Sequence, residues 1–414
     1  MTWPGTDSYR RYCLPVVLLI FIAGLCLRVT VFTGQHQEGD ELIYMTLVEQ
    51  LDSGKGYTLQ GSNLLAEGVI DAYQYDRPLF FHPPGGIALC WLFWRLAGPW
   101  GFPLVQLCCY ALFFWSMLAL ARSLDLAPPG LVLPMVALLS AINPIVVQVN
   151  TKFWLDGPLL AFTMLAAALL AMSAKRGSLS WAVVGGLVLG YASLIKITAF
   201  LVVPGLILVL WHILPQKRLR TLAGFAFAML VPALLLQIPW SYWQWSVYGT
   251  AFPGWAGRPS ETLVLSSPYI HFLTVERSPL AYLSLFPRVQ WTVVPALLLP
   301  LVSWRNSGKV RLWSALILWG GIVVLFHVLL GSIGYSKVLR YVILATPPVT
   351  LLFASQLGET IAAYKEDALT GFRRNAANVL IAVSLLALLL EAITAVRTAL
   401  ATDLALIVPI AGGL

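Results

Sequence analysis

Long apolar runs, each sufficient to cross hydrocarbon, decide what this chain can fold into. A helix needs about 20 mostly apolar residues to span a bilayer core. Runs of roughly that length occur at Cys13 to Thr33, Phe102 to Ala121, Leu131 to Val149, Leu155 to Met172, Trp181 to Ile195 and Ala199 to Leu214. Others follow at Leu222 to Tyr242, Trp291 to Trp304, Leu312 to Leu330, Tyr341 to Leu357 and Val379 to Val396. The pattern predicts an all-α polytopic membrane protein of about 11 spans. Only 11% of residues are charged, against about 25% in a soluble domain. The expected layout is one transmembrane unit over 1–400 and a short tail at 401–414, with no soluble domain.

Acidic residues are concentrated. Eight of the 18 lie between Gln35 and Phe81: Glu38, Asp40, Glu41, Glu49, Asp52, Glu67, Asp71 and Asp76. Charge is costly in hydrocarbon, so this loop (34–83) is where the chain meets water or does chemistry. Within it, Asp40 to Leu51 reads as an amphipathic interfacial helix, with Leu42, Ile43, Met45, Leu47, Val48 and Leu51 set against Glu41, Glu49 and Gln50. Pro83 and Pro84 open a short apolar helix to about Ala97, re-entrant or interfacial. A second polar loop runs over 244–288.

Fourteen of the 26 basic residues fall on one side if the spans alternate, including Arg10, Arg11, Lys175, Arg176 and Lys217. That side is expected to be cytoplasmic, with the N-terminus on it. Arg10 and Arg11 precede a first span with no small-residue cleavage site after it, so it reads as retained. Both long loops, Asp156 and the 331–340 connection then face outward. The same rule accounts for the net charge of +8. There is no polybasic block, so nucleic acid is not an expected partner. Five cysteines, all in apolar segments, give neither a disulfide framework nor a metal spacing.

Two outward acids are candidates for chemistry. Asp40, with Glu41 beside it, opens a helix, where an acid either caps the backbone or stays ionised as a general base. Asp156 opens the fourth span in FWLDGPLLAF. It is either another N-cap or a functional acid at the hydrocarbon edge. Asp40 and Asp156, with His82, could share a divalent cation, although no strong metal signature is present.

DELIYMTLVEQL (40–51) followed by YDRPLFFHPPGGIALCWLFWRLAG (75–98) resembles the first-loop signature of the GT-C membrane glycosyltransferases. The nearest likeness is to the protein O-mannosyltransferases and the bacterial aminoarabinose (lipid A) transferases. The likeness continues through LDGPLLAF (155–162), GLVLGYASLIKITAF (186–200) and KVLRYVILATPP (337–348). It implies a GT-C-like fold and an inverting enzyme that takes a hexose or pentose from a polyprenyl-phosphate carrier outside the cytoplasm. By this resemblance Asp40 is the catalytic acid, with Glu41 its partner. Where many relatives carry Lys before the paired prolines, this chain has His82, which is cationic only beside an anion.

Breaking the glycosidic bond leaves negative charge on the carrier phosphate, which fixed cations stabilise. Lys196, Lys337 and Arg340 are the expected donors of that stabilisation, with Tyr341 and His82. Tyr75 and Arg77 in the first loop, and Trp255 and Arg258 in the second, are candidate substrate contacts. Arg28 and Arg95 read as snorkelling side chains without a role. The aromatic group Trp240, Tyr242, Trp243 and Trp245 reads as an interfacial belt, with sugar stacking as the alternative.

The expected activity is sugar transfer to a glycolipid, lipid A-like, glycan or protein acceptor at the outer face of the cell (inner or plasma) membrane. Rival readings are a flippase of the same lipid-linked sugar and a carrier-binding subunit without chemistry. The residues leave sugar, acceptor, metal dependence and oligomeric state open.

Overall fold

In hydrocarbon every backbone N–H and C=O needs a partner within the protein, and a helix supplies them all from one segment. The computed structural model describes residues 6–29, 40–67, 82–126, 128–214, 218–249, 280–303, 309–332, 339–365 and 371–400, and among them there is no strand. The order begins α1 (Thr6–Cys26), α2 (Asp40–Asp52), α3 (Gly85–Ala97), α4 (Gly101–Ser123), α5 (Pro129–Ile142), α6 (Pro144–Thr151), α7 (Asp156–Arg176) and α8 (Leu179–Ile195). It continues with α9 (Val203–Ile213), α10 (Leu219–Tyr248), α11 (Ala281–Val289), α12 (Val293–Leu298), α13 (Pro300–Ser303), α14 (Val310–Ser332), α15 (Thr346–Lys365) and α16 (Phe372–Leu400). Short 3-10 stretches at Ile197–Val202 and Leu339–Ala345 lead into α9 and α15.

Six described segments are long and apolar enough to cross a membrane, seven if the bent pair α5 and α6 is one span. Shorter apolar helices lie at Cys13–Cys26, Leu179–Ile195, Ile197–Ile213 and Val293–Val302. Each run read as a span from the sequence overlaps one of these helices in its described residues. Length alone qualifies fewer than the expected 11, because several are short or broken.

The centre is built by α4, α7 and α8, with α10 laid against α8. The α8–α10 approach depends on Gly186 and Gly190: a Cβ on the first would collide with the Met229 carbonyl, and one on the second would press on Ala233. Small residues four apart let two backbones come close where no hydrophobic drive between helices exists. Gln237 adds a hydrogen bond to Ser193 at 2.5 Å. By contrast α10 and α16 expose leucines such as Leu234, Leu235, Leu385 and Leu389, as lipid-facing helices should.

The structure differs from the sequence reading at the third predicted span and at Arg28. The third predicted span is not continuous: α5 and α6 meet at a 48° bend. Its cause is Asn143–Pro144. The residue before proline is driven out of the α region, and Asn143 is extended (φ −61°, ψ 122°). Its Oδ1 accepts from the Ile145 and Val146 N–H groups at 3.1 Å, restarting the helix. The second difference is Arg28, which is fully buried instead of snorkelling. Its guanidinium donates to the carbonyls of Gly24 (2.7 Å) and Ala141 (3.0 Å), in the last turns of α1 and α5, and covers the Tyr110 ring. Two helix C-termini, each bearing partial negative charge, take the place of a carboxylate.

Helix α2 forms as predicted, but Glu41 and Gln50 belong to its buried side together with Ile43, Tyr44, Leu47 and Val48, while Glu49 is exposed. That side packs against α3, so α2 sits on protein.

Candidate active site

Four charged side chains from four parts of the chain meet at one place. Asp40 is the first residue of α2 and Asp156 the first of α7. Lys196 stands just past the end of α8, where the backbone turns extended (φ −147°, ψ 132°) before the 3-10 stretch. Arg340 lies on the 3-10 stretch leading into α15, which packs against α6 and α7. Acids at helix starts and a cation at a helix end each match the local backbone dipole. Helix termini therefore hold three of the four charges, Arg340 being the exception on its 3-10 stretch.

Lys196 Nζ bonds both Asp156 oxygens, at 2.8 and 2.9 Å. Arg340 Nη2 donates to Asp40 Oδ2 across 300 positions of sequence. Its Nε lies 3.8 Å from Asp156 Oδ2. The guanidinium rests over the Trp154 ring, 4.2 Å from its centroid. Arg340 thus bridges the two acids and is fixed from below by an aromatic face.

The two acids differ in exposure. The Asp156 side chain is 2% exposed and that of Asp40 is 37%. Asp156 does not cap its helix: Leu155 occupies the N-cap position, without a side-chain hydrogen bond. It is a sealed counter-ion to Lys196 and Arg340, whereas Asp40 is open to an incoming molecule. Burial pushes the Asp40 carboxyl up, but Arg340 and Lys196, with a smaller contribution from His82, outweigh it and hold the carboxyl below its usual value. It stays ionised near neutral pH.

Glu41 does not join this cluster. It is buried, accepts from the Phe153 N–H at 2.7 Å and lies 3.9 Å from Lys152 Nζ. It ties α2 to the 152–155 linker that carries Trp154 into place. The same linker is held from α4, where Gln106 Nε2 donates to the Trp154 carbonyl at 3.0 Å. Gly157 permits this crowding, since a Cβ there would strike the amides of Gln106 and Asn150.

Tyr341 follows Arg340, with Lys196 Nζ 5.8 Å from its ring centroid. His82 presents its backbone carbonyl to the Tyr57 hydroxyl at 3.1 Å. Tyr75, Arg77, Trp255, Arg258 and Lys337 lie outside the described residues. Sequence reasoning missed three neighbours. Tyr44 is one turn after Asp40 and buried; burial first, then the Asp40 charge, raises its pKa well above the usual phenol value. It remains a protonated hydroxyl. His327 on α14 is buried, bonded to the Val323 carbonyl at 2.8 Å and stacked on Tyr341. Trp154 is the third. Tyr44 and His327 were legible only as a turn-mate of Asp40 and as a lone histidine in an apolar span.

Asp40 and Asp156 both face cations, and among the described residues no three His, Cys, Asp or Glu side chains gather as a metal cluster.

The sequence profile of the family described as dolichyl-phosphate-mannose-protein mannosyltransferase matches residues 81–243. That segment contains Asp156 and Lys196 but stops short of Asp40 and Arg340. No curated protein matches by sequence. Solved structures do match. The Archaeoglobus fulgidus oligosaccharyltransferase in its apo form aligns at TM-score 0.62 and 12% identity, over 96% of this chain and 57% of that one. This chain therefore spans a little over half of that protein's length. ArnT from Cupriavidus metallidurans in the apo state aligns at TM-score 0.61 and 13% identity, over 95% of this chain and 78% of that one. A second ArnT structure from that organism, bound to undecaprenyl phosphate, aligns at TM-score 0.53 and 16% identity, over 95% and 75%.

Proposed function

We propose that this chain, which has the fold of the GT-C membrane glycosyltransferases, moves a sugar, a hexose or a pentose, from a polyprenyl-phosphate carrier to an acceptor hydroxyl. We place the site at the extracytoplasmic face of the membrane, with the N-terminus cytoplasmic, on the asymmetry of Lys and Arg between the loops. The observation that carries the reading is the pairing of an open acid, Asp40, with an enclosed cation, Arg340, that a sealed second acid also holds.

In the resting protein Asp40 and Arg340 neutralise each other. The donor's phosphodiester anion offers a planar guanidinium two non-bridging oxygens in bidentate geometry, and the monoester left after transfer carries more charge for it to hold. On donor binding Arg340 turns to the phosphate, and Asp40 is released with its charge intact. Asp40 then accepts the proton of the acceptor hydroxyl as that oxygen forms its bond to the anomeric carbon. The bond from anomeric carbon to phosphate oxygen breaks on the opposite side, which inverts the centre. The electron pair stays with the phosphate, where Arg340, Lys196, Lys337, His82 and the Tyr341 hydroxyl meet the charge as it grows. Asp156 touches no substrate; it keeps Lys196 and Arg340 charged and aimed. Glu41 positions the 152–155 linker.

Replacing Asp40 by Asn keeps the shape and removes the base. General-base loss costs typically about 10²- to 10⁴-fold in rate. The measurement is transfer of labelled sugar from a lipid-linked donor in proteoliposomes. Transfer at the wild-type rate by D40N would remove Asp40 from the mechanism. Movement of lipid-linked sugar between leaflets without transfer would replace the enzyme reading with a flippase.

A further inference from the structure

Helix α16 faces lipid along most of its length, yet it carries a fully buried acid, Glu391, far from the four-charge cluster in sequence. Among the described residues, no cation is bonded to it. Its Oε1 accepts from Asn143 Nδ2 at 3.1 Å, and its Oε2 from the Thr292 backbone N–H at 3.2 Å. Asn143 is the residue at the α5–α6 break, and its own Oδ1 already caps α6. A broken helix inside a bundle is free to swing about the break unless something outside the helix fixes the angle. Glu391 reaches across from another helix to the side-chain amide at that break.

Helix α6 is only eight residues long. It runs directly into the 152–155 linker, whose Lys152 and Phe153 meet Glu41, whose Trp154 lies under Arg340, and after which Asp156 begins α7. The angle at Asn143 therefore bears on where Trp154 and Asp156 stand, alongside the contacts from Glu41 and Gln106. We infer that Glu391, through Asn143, is a positioning residue that fixes the α5–α6 angle and so holds Trp154 and Asp156 against Arg340. Its effect on rate rests on the transfer reading above; its effect on the geometry of α6 does not.

Two measurements on the full chain in lipid nanodiscs separate these. In the first, Thr151 at the end of α6 is replaced by Cys in a background without the native cysteines. Its modification by a membrane-impermeant maleimide is then timed. E391A and N143A are expected to change the labelling rate several-fold, and E391Q, which still offers an acceptor to the Asn143 amide, to stay near the parent. In the second, sugar transfer per folded molecule is measured for E391A, D156N and the double variant. A displacement of the order of 1 Å away from the reacting atoms can cost about 100-fold. E391A is expected to lower kcat by about 10- to 100-fold alone, but to add little in the D156N background, because Asp156 is what it places. A residue serving stability alone would leave labelling and per-molecule kcat unchanged while lowering Tm, and that result overturns the inference. So would additive effects of E391A and D156N on kcat. Should E391A fail to fold, N143A and E391Q decide the labelling arm. If the wild type transfers nothing, the proposed function falls and labelling still judges Glu391.

Discussion

The chain buries charge in two ways. At the open site, acids meet cations: Asp156 with Lys196, Asp40 with Arg340, and Arg340 again with Asp156. At the α5–α6 break, Glu391 meets an amide and a backbone N–H, and Arg28 meets two carbonyls and an aromatic face. An ion pair is exchangeable, because another anion can take the place of the first. A charge held by backbone dipoles and amides offers an incoming ion nothing to displace. The first arrangement suits a place where a phosphate arrives and leaves, and the second a place that must keep one shape.

The sharpest way to break this comparison is to remove one partner from each arrangement. Asp156→Ala leaves Lys196 enclosed without its carboxylate, and unpairing a buried ion pair costs about 3–5 kcal/mol. Replacing Asp156 and Lys196 together by Leu and Met is expected to restore most of that stability but none of the transfer, since the cation is then gone. Recovery of transfer in the double variant would show that Lys196 does not serve the phosphate. Arg28→Met removes two hydrogen bonds to helix ends and is expected to lower stability by about 1–3 kcal/mol. Thermal unfolding in nanodiscs measures both, and per-molecule kcat of R28M should equal that of the wild type.

Much of the exchangeable site was readable from sequence and little of the fixed one. Asp156 and Lys196 stand at helix boundaries where an apolar run gives way to one charged residue, Asp40 opens a helix beside Glu41, and Arg340 lies on a 3-10 stretch; each of these signals is local. Their union is not local, as the 300-residue separation of Asp40 and Arg340 shows. Glu391 was visible as a lone acid in LLALLLEAIT, but its partner Asn143 lies 248 positions away. The break at Asn143 had its own signal in the Asn–Pro pair, hidden by apolar residues on both sides. Glu41 adjoins Asp40 in sequence, but neighbours on a helix point about 100° apart, and its carboxylate meets the Phe153 N–H and Lys152.

Acidity offers a gentler test. Asp40 is held below its usual pKa chiefly by Arg340 against the upward push of burial. Its contribution to stability is therefore present above its unfolded value, roughly 3.9, and lost only as pH falls through the lower folded value. Transfer by the wild type should not lose its base on going from pH 7 to pH 5. In Arg340→Gln the opposing charge is gone and the Asp40 pKa rises. Residual transfer should then fall more steeply toward pH 5 than in the wild type. Parallel profiles for the two proteins would mean that Arg340 does not set the charge of the base.

The smallest effect is expected where both members of a pair face solvent. Lys175 Nζ lies 2.5 Å from Asp125 Oδ1, with the side chains 45% and 62% exposed. By distance alone this pair is at least as close as Lys196 with Asp156. In solvent, however, the field between the charges is screened and two flexible side chains must be ordered, so such pairs contribute about 0–1 kcal/mol. Lys175→Met should shift unfolding by no more than that, and the shift should shrink further in high salt. A loss as large as that of Asp156→Ala would show that distance, and not enclosure, governs what these pairs contribute, and the contrast between the two buried regions would then need another cause.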